Sequence, residues 1–156
     1  MKTNNITRML DGRGIPYTAF ETPVEKLGAL ETARLLNVPA EQVFKTIVVI
    51  REAKGKPLLA VVPGTAEVDL KALAKAVGEK KLHLPTEREA ERLTGLQAGG
   101  ISPLALMNRG FQVVLDASAQ GFAEIHISGG QRGLNLRLPV QAFIDLVNAR
   151  IAAISS

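Results

Sequence analysis

Two apolar runs joined by a charged turn constrain this chain most. Val43 to Ile50 and Pro57 to Val62 flank Glu52-Ala53-Lys54-Gly55-Lys56, and the first is rich in β-branched residues. Runs of that length and composition read as buried strands, and the turn between them makes a hairpin. The first run holds one exception, Lys45. Strand alternation puts Lys45 on the side of Val43, Ile47 and Val49. An ammonium in apolar surroundings is costly unless it is paired. Three placements satisfy it: a strand end facing water, a carboxylate partner such as Asp69 or Asp116, or an anionic or carbonyl-bearing ligand. Two glycine-rich turns, Gly99-Gly100-Ile101-Ser102-Pro103 and Ser128-Gly129-Gly130, add weight to the third.

The rest of the chain alternates helical and extended patterns. Asn4 or Asn5 caps a first helix carrying Ile6, Met9 and Leu10, which ends at Gly12-Arg13-Gly14. Ile15 to Glu21 reads as a short strand, and Gly28 to Leu36 as a helix stopped by Asn37. Asp69 caps a third helix with Leu70, Leu73, Ala74 and Val77 at helical spacing, closed by Gly78. Thr86 and Glu89 form the capping-box pattern of a fourth helix ending near Gly95. Phe111 to Leu115 reads as a strand ending in Asp116. Ala123 to Ile127 and Leu134 to Leu138 alternate cleanly and make a second hairpin. Pro139 opens a last helix whose stripe is Val140, Phe143, Ile144, Val147 and Ile151. Interleaved strands and helices with two hairpins predict an α/β (α+β) fold. A mixed sheet is covered by helices, in one domain over residues 1–156.

Composition narrows the chemistry. The 156 residues include no cysteine and two histidines, His83 and His126. Disulfides, thiolate catalysis and cysteine-ligated metals are excluded, and a zinc site is not expected. This usage fits a reducing cytoplasm. No signal-peptide pattern follows Met1, and no apolar run approaches the roughly 20 residues of a membrane span. A net charge of +4 is a mild excess. It favours attraction to polyanions without naming one.

The Gly99–Pro103 loop offers backbone N–H groups of the kind that hold anions or a developing oxyanion. It is not a phosphate-binding P-loop, because no Gly-Lys-Ser/Thr follows. Ser128 lacks a Gly-x-Ser-x-Gly elbow, so it is expected to hydrogen-bond a ligand and not to attack one. Glu124 and His126 fall opposite Ala123, Ile125 and Ile127, and solvent is their expected environment. Lys71, Lys75, Lys80, Lys81, Arg88 and Arg92 cluster, but Glu79, Glu87, Glu89 and Glu91 interleave with them. A solvated surface is the expected reading of such a stretch.

Four segments, in order and at matching spacing over nearly the whole chain, resemble the YbaK/EbsC family. They are Val43-Phe44-Lys45-Thr46, Gly99 to Pro103, the Asp116-Ala117 strand end, and Ile127-Ser128-Gly129-Gly130 with Arg132-Gly133-Leu134. That family is related to the editing domain inserted in bacterial prolyl-tRNA synthetases. The resemblance implies a mostly antiparallel, partly barrel-like sheet and an aminoacyl-tRNA deacylase. Its substrate would be mischarged tRNA, Cys-tRNA(Pro) first, with Ala-tRNA(Pro), a seryl ester or another small aminoacyl-tRNA as the alternative. It implies catalytic roles for Lys45 and Gly100. Substrate binding would fall to Phe20, Leu27, Thr46, Gly99, Ile101, Ser102, Pro103, Ser128, Gly129, Gly130 and Asn135. Neither a metal nor a cofactor is implied, and the partners would be the tRNA 3′ aminoacyl end and prolyl-tRNA synthetase. The chain departs from the family at Asn135, where several relatives carry aspartate, at Phe20, where tyrosine is common, and near Leu27, often aromatic. A second reading of the same residues is a non-catalytic module that binds a tRNA end or a small anion.

Overall fold

The structure is a computed structural model that describes residues 4–156. The 43–62 hairpin forms as the sequence predicts: β2 (Phe44–Arg51) and β3 (Leu58–Pro63) pair antiparallel from Phe44↔Pro63 to Val49↔Leu58. On the far edge β3 pairs parallel with β5 (Gln112–Asp116), and β5 pairs parallel with β8 (Arg150–Ala152). On the near edge β4 (Leu82–His83) meets only the end of β2, at Ile50↔His83 and Arg51↔Leu82. The order β4-β2-β3-β5-β8 is one mixed sheet.

A second sheet, β1-β7-β6, is antiparallel throughout. Its strands are β1 (Thr18–Glu21), β6 (Glu124–Ser128) and β7 (Leu134–Pro139). Four of the six strand pairings are therefore antiparallel. The sheets do not close; a single parallel bridge, Val43↔His126, ties the start of β2 to β6.

The clean alternation of β6 and β7 buries Ile125, Ile127, Leu134, Leu136 and Leu138 against Phe44, Val48, Leu59, Val61 and Leu115 of the larger sheet. Leu10 of α1 (Asn5–Gly12) and Phe143 of α5 (Val140–Val147) complete this core. The opposite face of the larger sheet, with Val49, Leu58, Ala60 and Val62, is covered by Leu73 and Ala74 of α3 (Leu70–Val77). Two further helices, α2 (Ala29–Leu36) and α4 (Glu87–Thr94), flank the gap between the sheets' edges. Among the described residues no helix is long and apolar enough to cross a membrane.

Local details refine the sequence reading. Asn4 caps α1, accepting the Thr7 N–H at 3.0 Å while Thr7 Oγ1 accepts the Asn4 N–H at 2.8 Å. At Thr86 one half of the expected box is made: its hydroxyl accepts the Glu89 N–H at 3.1 Å, and the Glu89 carboxylate lies 3.8 Å from Arg92. The strand expected from Ile15 begins at Thr18. The last helix is shorter than its apolar stripe suggested. Asn148 adopts a left-handed conformation, φ 52°, and stops α5 at Val147. Ile151 therefore lies not on a helix but in β8, opposite Leu115.

Candidate active site

β2 is the strand from which the site is built, because one of its edges is left open. Gly64 N–H donates to Val43 O at 2.8 Å, just beyond the Phe44↔Pro63 pair, in which Pro63 has no N–H to give. The alternation of an antiparallel ladder then turns the N–H and C=O of Lys45, Ile47 and Val49 toward β3. Those of Thr46 and Val48 point the other way. Among the described residues no strand takes them there, since β4 reaches only Ile50 and Arg51. A cleft of about 430 Å³ opens along this edge.

The cleft's other walls come from four places. Leu27, Gly28, Ala29 and Thr32 bring the start of α2, whose N-cap Gly28 has no side chain to satisfy the helix's first N–H groups. Leu84 to Glu87 and Ala90 form the opposite lip. Gly99 and Ile101 come from the glycine-rich loop; Ser128, Gly133, Leu134 and Asn135 come from the β6–β7 hairpin. Lys26 of the first lip and Glu87 of the second meet across the mouth at 2.6 Å.

Lys45 lines the cleft with its side chain 24% exposed. Its partner is Glu67 Oε1 at 3.5 Å, a carboxylate that is itself 85% exposed. Neither carboxylate that the sequence suggested serves it. Asp69 caps α3 through the Ala72 N–H at 3.0 Å. Asp116 is buried, which by itself raises a carboxyl's pKa. It accepts the Ser118 hydroxyl at 2.5 Å, the Ser118 N–H at 3.2 Å and the Ile154 N–H at 2.9 Å, and these bonds hold its pKa below the usual value. Asp116 thus fastens the C-terminal segment. An ammonium whose only partner among the described residues is an exposed surface carboxylate remains available to a negatively charged ligand.

The two glycine turns are docked on each other. Arg132 Nε donates to Ala98 O at 2.7 Å. A Cβ on Gly100 would stand 2.9 Å from Gln131 Cα, so only glycine allows the loop to lie this close. Gly100 does not itself face the cleft, and its N–H is taken by Gln97 O at 2.8 Å. Gly99 and Ile101 flank it and do face the cleft. Ser102 and Pro103 are buried behind the loop, where Ser102 Oγ accepts the Leu104 N–H at 3.2 Å and opens a 3₁₀ turn. Gly129 and Gly130 also stand behind; Gly129 N–H donates to Leu134 O at 2.9 Å, and Gly130 lines a separate hollow beside α1. Lys45, Thr46, Leu27, Gly99, Ile101, Ser128 and Asn135 are thus brought together around one cavity. Phe20 does not line it; it stands opposite Asn135 in the β1–β7 pair, with its ring 5.4 Å from that of His126.

His126 corrects an expectation: it is fully buried, not solvated. Its Nδ1 lies 2.8 Å from Asn135 Oδ1, and its Nε2 is buried without a partner among the described residues. Burial pushes its pKa below the usual imidazole value, against an opposing effect of the Asn135 hydrogen bond. The neutral form of the ring is therefore favoured at pH 7, with Nδ1 against Asn135. Asn135, buried beside the ring, also lines the cleft. Ser128 Oγ accepts the Gly130 N–H at 3.2 Å and forms no pair with His126, so the site holds no Ser–His couple.

Residues that sequence reasoning passed over include Gly28, Ala29, Thr32, Lys26 and the Leu84–Glu87 lip. One signal was available for α2. Gly64, directly after Pro63, is a glycine because a Cβ there would meet Ala29 Cβ at 2.6 Å; it lets α2 lie against the end of β3.

Comparisons with known proteins agree with this architecture. The family model for the aminoacyl-tRNA editing domain matches residues 25–146. A candidate Cys-tRNA(Pro)/Cys-tRNA(Cys) deacylase of Enterococcus faecalis, EbsC, is 35% identical over 154 residues, covering 97% of this chain and 93% of that one. A prolyl-tRNA editing protein, ProX, of Acetoanaerobium sticklandii is 30% identical over 145 residues, covering 90% and 87%. A crystal structure of a candidate trans-editing enzyme for prolyl-tRNA synthetase superposes with a TM-score of 0.82 at 25% identity, covering 99% of each chain. With the family model spanning the cleft from Glu25 to α5, the chain belongs to the aminoacyl-tRNA editing domain family.

Proposed function

We propose that this protein is a trans-editing aminoacyl-tRNA deacylase that hydrolyses mischarged tRNA(Pro), with the cysteinyl ester as first substrate and the alanyl ester as second. The observation that carries the reading is the open β2 edge. Along it, Lys45, backbone groups of Thr46 and Val48 that have no partner among the described residues, and Gly99 and Ile101 surround one cavity of about 430 Å³, the proposed seat of a small aminoacyl group and the terminal ribose. The likeness to the Enterococcus faecalis protein supports the choice of cysteinyl.

An aminoacyl ester is already activated, so positioning and oxyanion stabilisation carry much of the acceleration. In the hydrolysis the acyl C–O bond to the ribose breaks. Water gives its hydroxyl to the acyl carbon and a proton to the ribose oxygen. Lys45 holds the anionic 3′ end as a fixed positive charge and does not shuttle the proton. The N–H groups of Gly99 and Ile101, which no other described group accepts, face the developing oxyanion. Gly100 acts indirectly, by letting that loop seat on Gln131. The vicinal ribose hydroxyl, or the thiol of a cysteinyl group, activates the attack, which suits a site without a Ser–His couple. Ser128 and Asn135 bind the substrate's polar groups. Prolyl-tRNA synthetase is the proposed partner that selects tRNA(Pro), and the cytoplasm the proposed compartment.

Release of amino acid from Cys-tRNA(Pro), Ala-tRNA(Pro) and Pro-tRNA(Pro), by the protein and its Lys45→Ala variant, tests this. Loss of cysteine or alanine with proline spared, and an inactive variant, is expected. A folded protein that hydrolyses none of the three contradicts the reading and leaves a binding module in its place.

A further inference from the structure

We propose that the lysines of α3 and the α3–β4 connection form the surface on which the sugar-phosphate backbone of the tRNA acceptor stem lies. This rests on the deacylase reading above for its choice of RNA. In the sequence, four glutamates interleave with the basic residues and argue for a merely solvated surface. In the structure each of those glutamates is occupied. Glu79 pairs with Arg51 at 3.3 Å, Glu87 with Lys26 at 2.6 Å, and Glu89 with Arg92 at 3.8 Å. Glu91 Oε2 accepts the Ala98 N–H at 2.7 Å. Lys71, Lys75, Lys80 and Lys81 are exposed and have no acidic partner among the described residues. Glu79 and Glu87 draw their cationic partners from outside the cluster, so the four lysines are left without a paired carboxylate among the described residues.

The lysines also lie on a path to the cleft. Leu73 and Ala74 face the sheet, and the 100° spacing of a helix places Lys71 and Lys75 on one flank of α3 and Ala72 and Ala76 on the other. Arg150, from β8, donates to Ala76 O at 2.6 Å, so the alanine flank looks toward β8. The lysine flank then looks toward β4, where Lys80, Lys81 and the exposed His83 stand. From His83 the chain runs directly into Leu84, 54% exposed, on the lip of the cleft. An RNA stem whose 3′ end enters the cleft past this lip has its backbone within reach of these cations, and phosphate contacts of this kind position without reading sequence.

The test compares wild type, a fourfold Lys→Glu variant at 71, 75, 80 and 81, a fourfold Lys→Gln variant, and an Arg8→Glu/Arg13→Glu control on α1. Binding of uncharged tRNA is measured against salt, and hydrolysis of an aminoacylated CCA trinucleotide separately. The surface predicts at least a tenfold weaker tRNA affinity in the Glu variant, with a smaller loss in the Gln variant. The log–log salt slope should fall by about 3.6 if all four lysines meet phosphates, given ~0.9 per duplex phosphate neutralised. Trinucleotide hydrolysis and the control should match wild type. Unchanged affinity and slope, or an equal loss in the control, overturns the surface. Wild-type protein that binds tRNA through these lysines yet leaves the trinucleotide intact keeps the surface and removes the deacylase reading instead.

Discussion

β2 and β3 are neighbours with nearly the same apolar character, yet only one of them carries chemistry. β3 is buried at every residue, with β2 along one edge and β5 along the other from Leu58 to Val61, so that stretch is paired on both sides. β2 has β3 on one side, while on the other, from Lys45 to Val49, it has no strand partner among the described residues. Its burial is correspondingly uneven, with Lys45, Thr46 and Ile47 partly open. Strand pairing satisfies the backbone; where it stops short, donors and acceptors are left for a ligand at a rigid position. The lysine lies on the open strand, where a charge has an outlet, and not on the closed one.

Removal of Lys45 should produce the largest effect on this contrast. Lys45→Ala is expected to lower single-turnover deacylation by about 10²–10³, the cost of losing one preorganised electrostatic group. Thermal stability should change little, because the ion pair lost is to an exposed carboxylate. A variant that kept its rate would disconnect β2 from the reaction.

Proline scanning tests the two edges of β2 directly. Ile47→Pro removes an N–H directed at β3 and should destabilise by about 1–3 kcal/mol or more, read by denaturant unfolding. Thr46→Pro removes one directed at the cleft. It should fold, as prolines on open edges do, and lose activity. Equal destabilisation by both would show that the Thr46 edge is not open.

Gly100→Ala should cost about tenfold in kcat with a smaller loss of stability, since its Cβ would collide with the Gln131 backbone and shift Gly99 and Ile101. Activity equal to wild type would show that the loop's seating is irrelevant.

The smallest effect concerns His126. Its folded pKa is depressed by burial below the unfolded value of 6.5. Its contribution to stability is therefore complete above about pH 6.5 and is lost as pH falls toward the folded pKa, where the unfolded state alone binds the proton. Asn135→Asp sets a carboxylate beside Nδ1 and should raise the pKa and shrink that loss. Imidazole NMR titration and melting curves over pH 5 to 8 check both, and a His126 that titrates normally in wild type would contradict its burial.

The hairpin, the helix caps and Lys45 were legible because each leaves a local mark: a charge in an apolar run, or a capping residue at a fixed offset. β8 was not, because the apolar stripe of α5 continues through Ala149 and Ile151 and only the Asn148 conformation breaks it. His126 was missed because alternation separates two faces of a strand but does not say that both are covered. Of the residues implied by family resemblance, seven line the cavity. Gly100, Ser102, Pro103, Gly129 and Gly130 lie behind it, because a glycine that lets two turns touch carries the same sequence mark as one that touches a ligand. Two of the interleaved glutamates, Glu79 and Glu87, find their cationic partners far off in the chain, at Arg51 and Lys26, which no local pattern marks.

The most direct measurement is an amide NMR titration with a non-hydrolysable cysteinyl amide of 3′-amino-3′-deoxyadenosine. The open-edge account predicts the largest shifts at Thr46, Val48, Gly99 and Ile101, and their loss in Lys45→Ala. Binding that leaves these amides unmoved, or that shifts the Gly130–Gln131 hollow beside α1 instead, would contradict it.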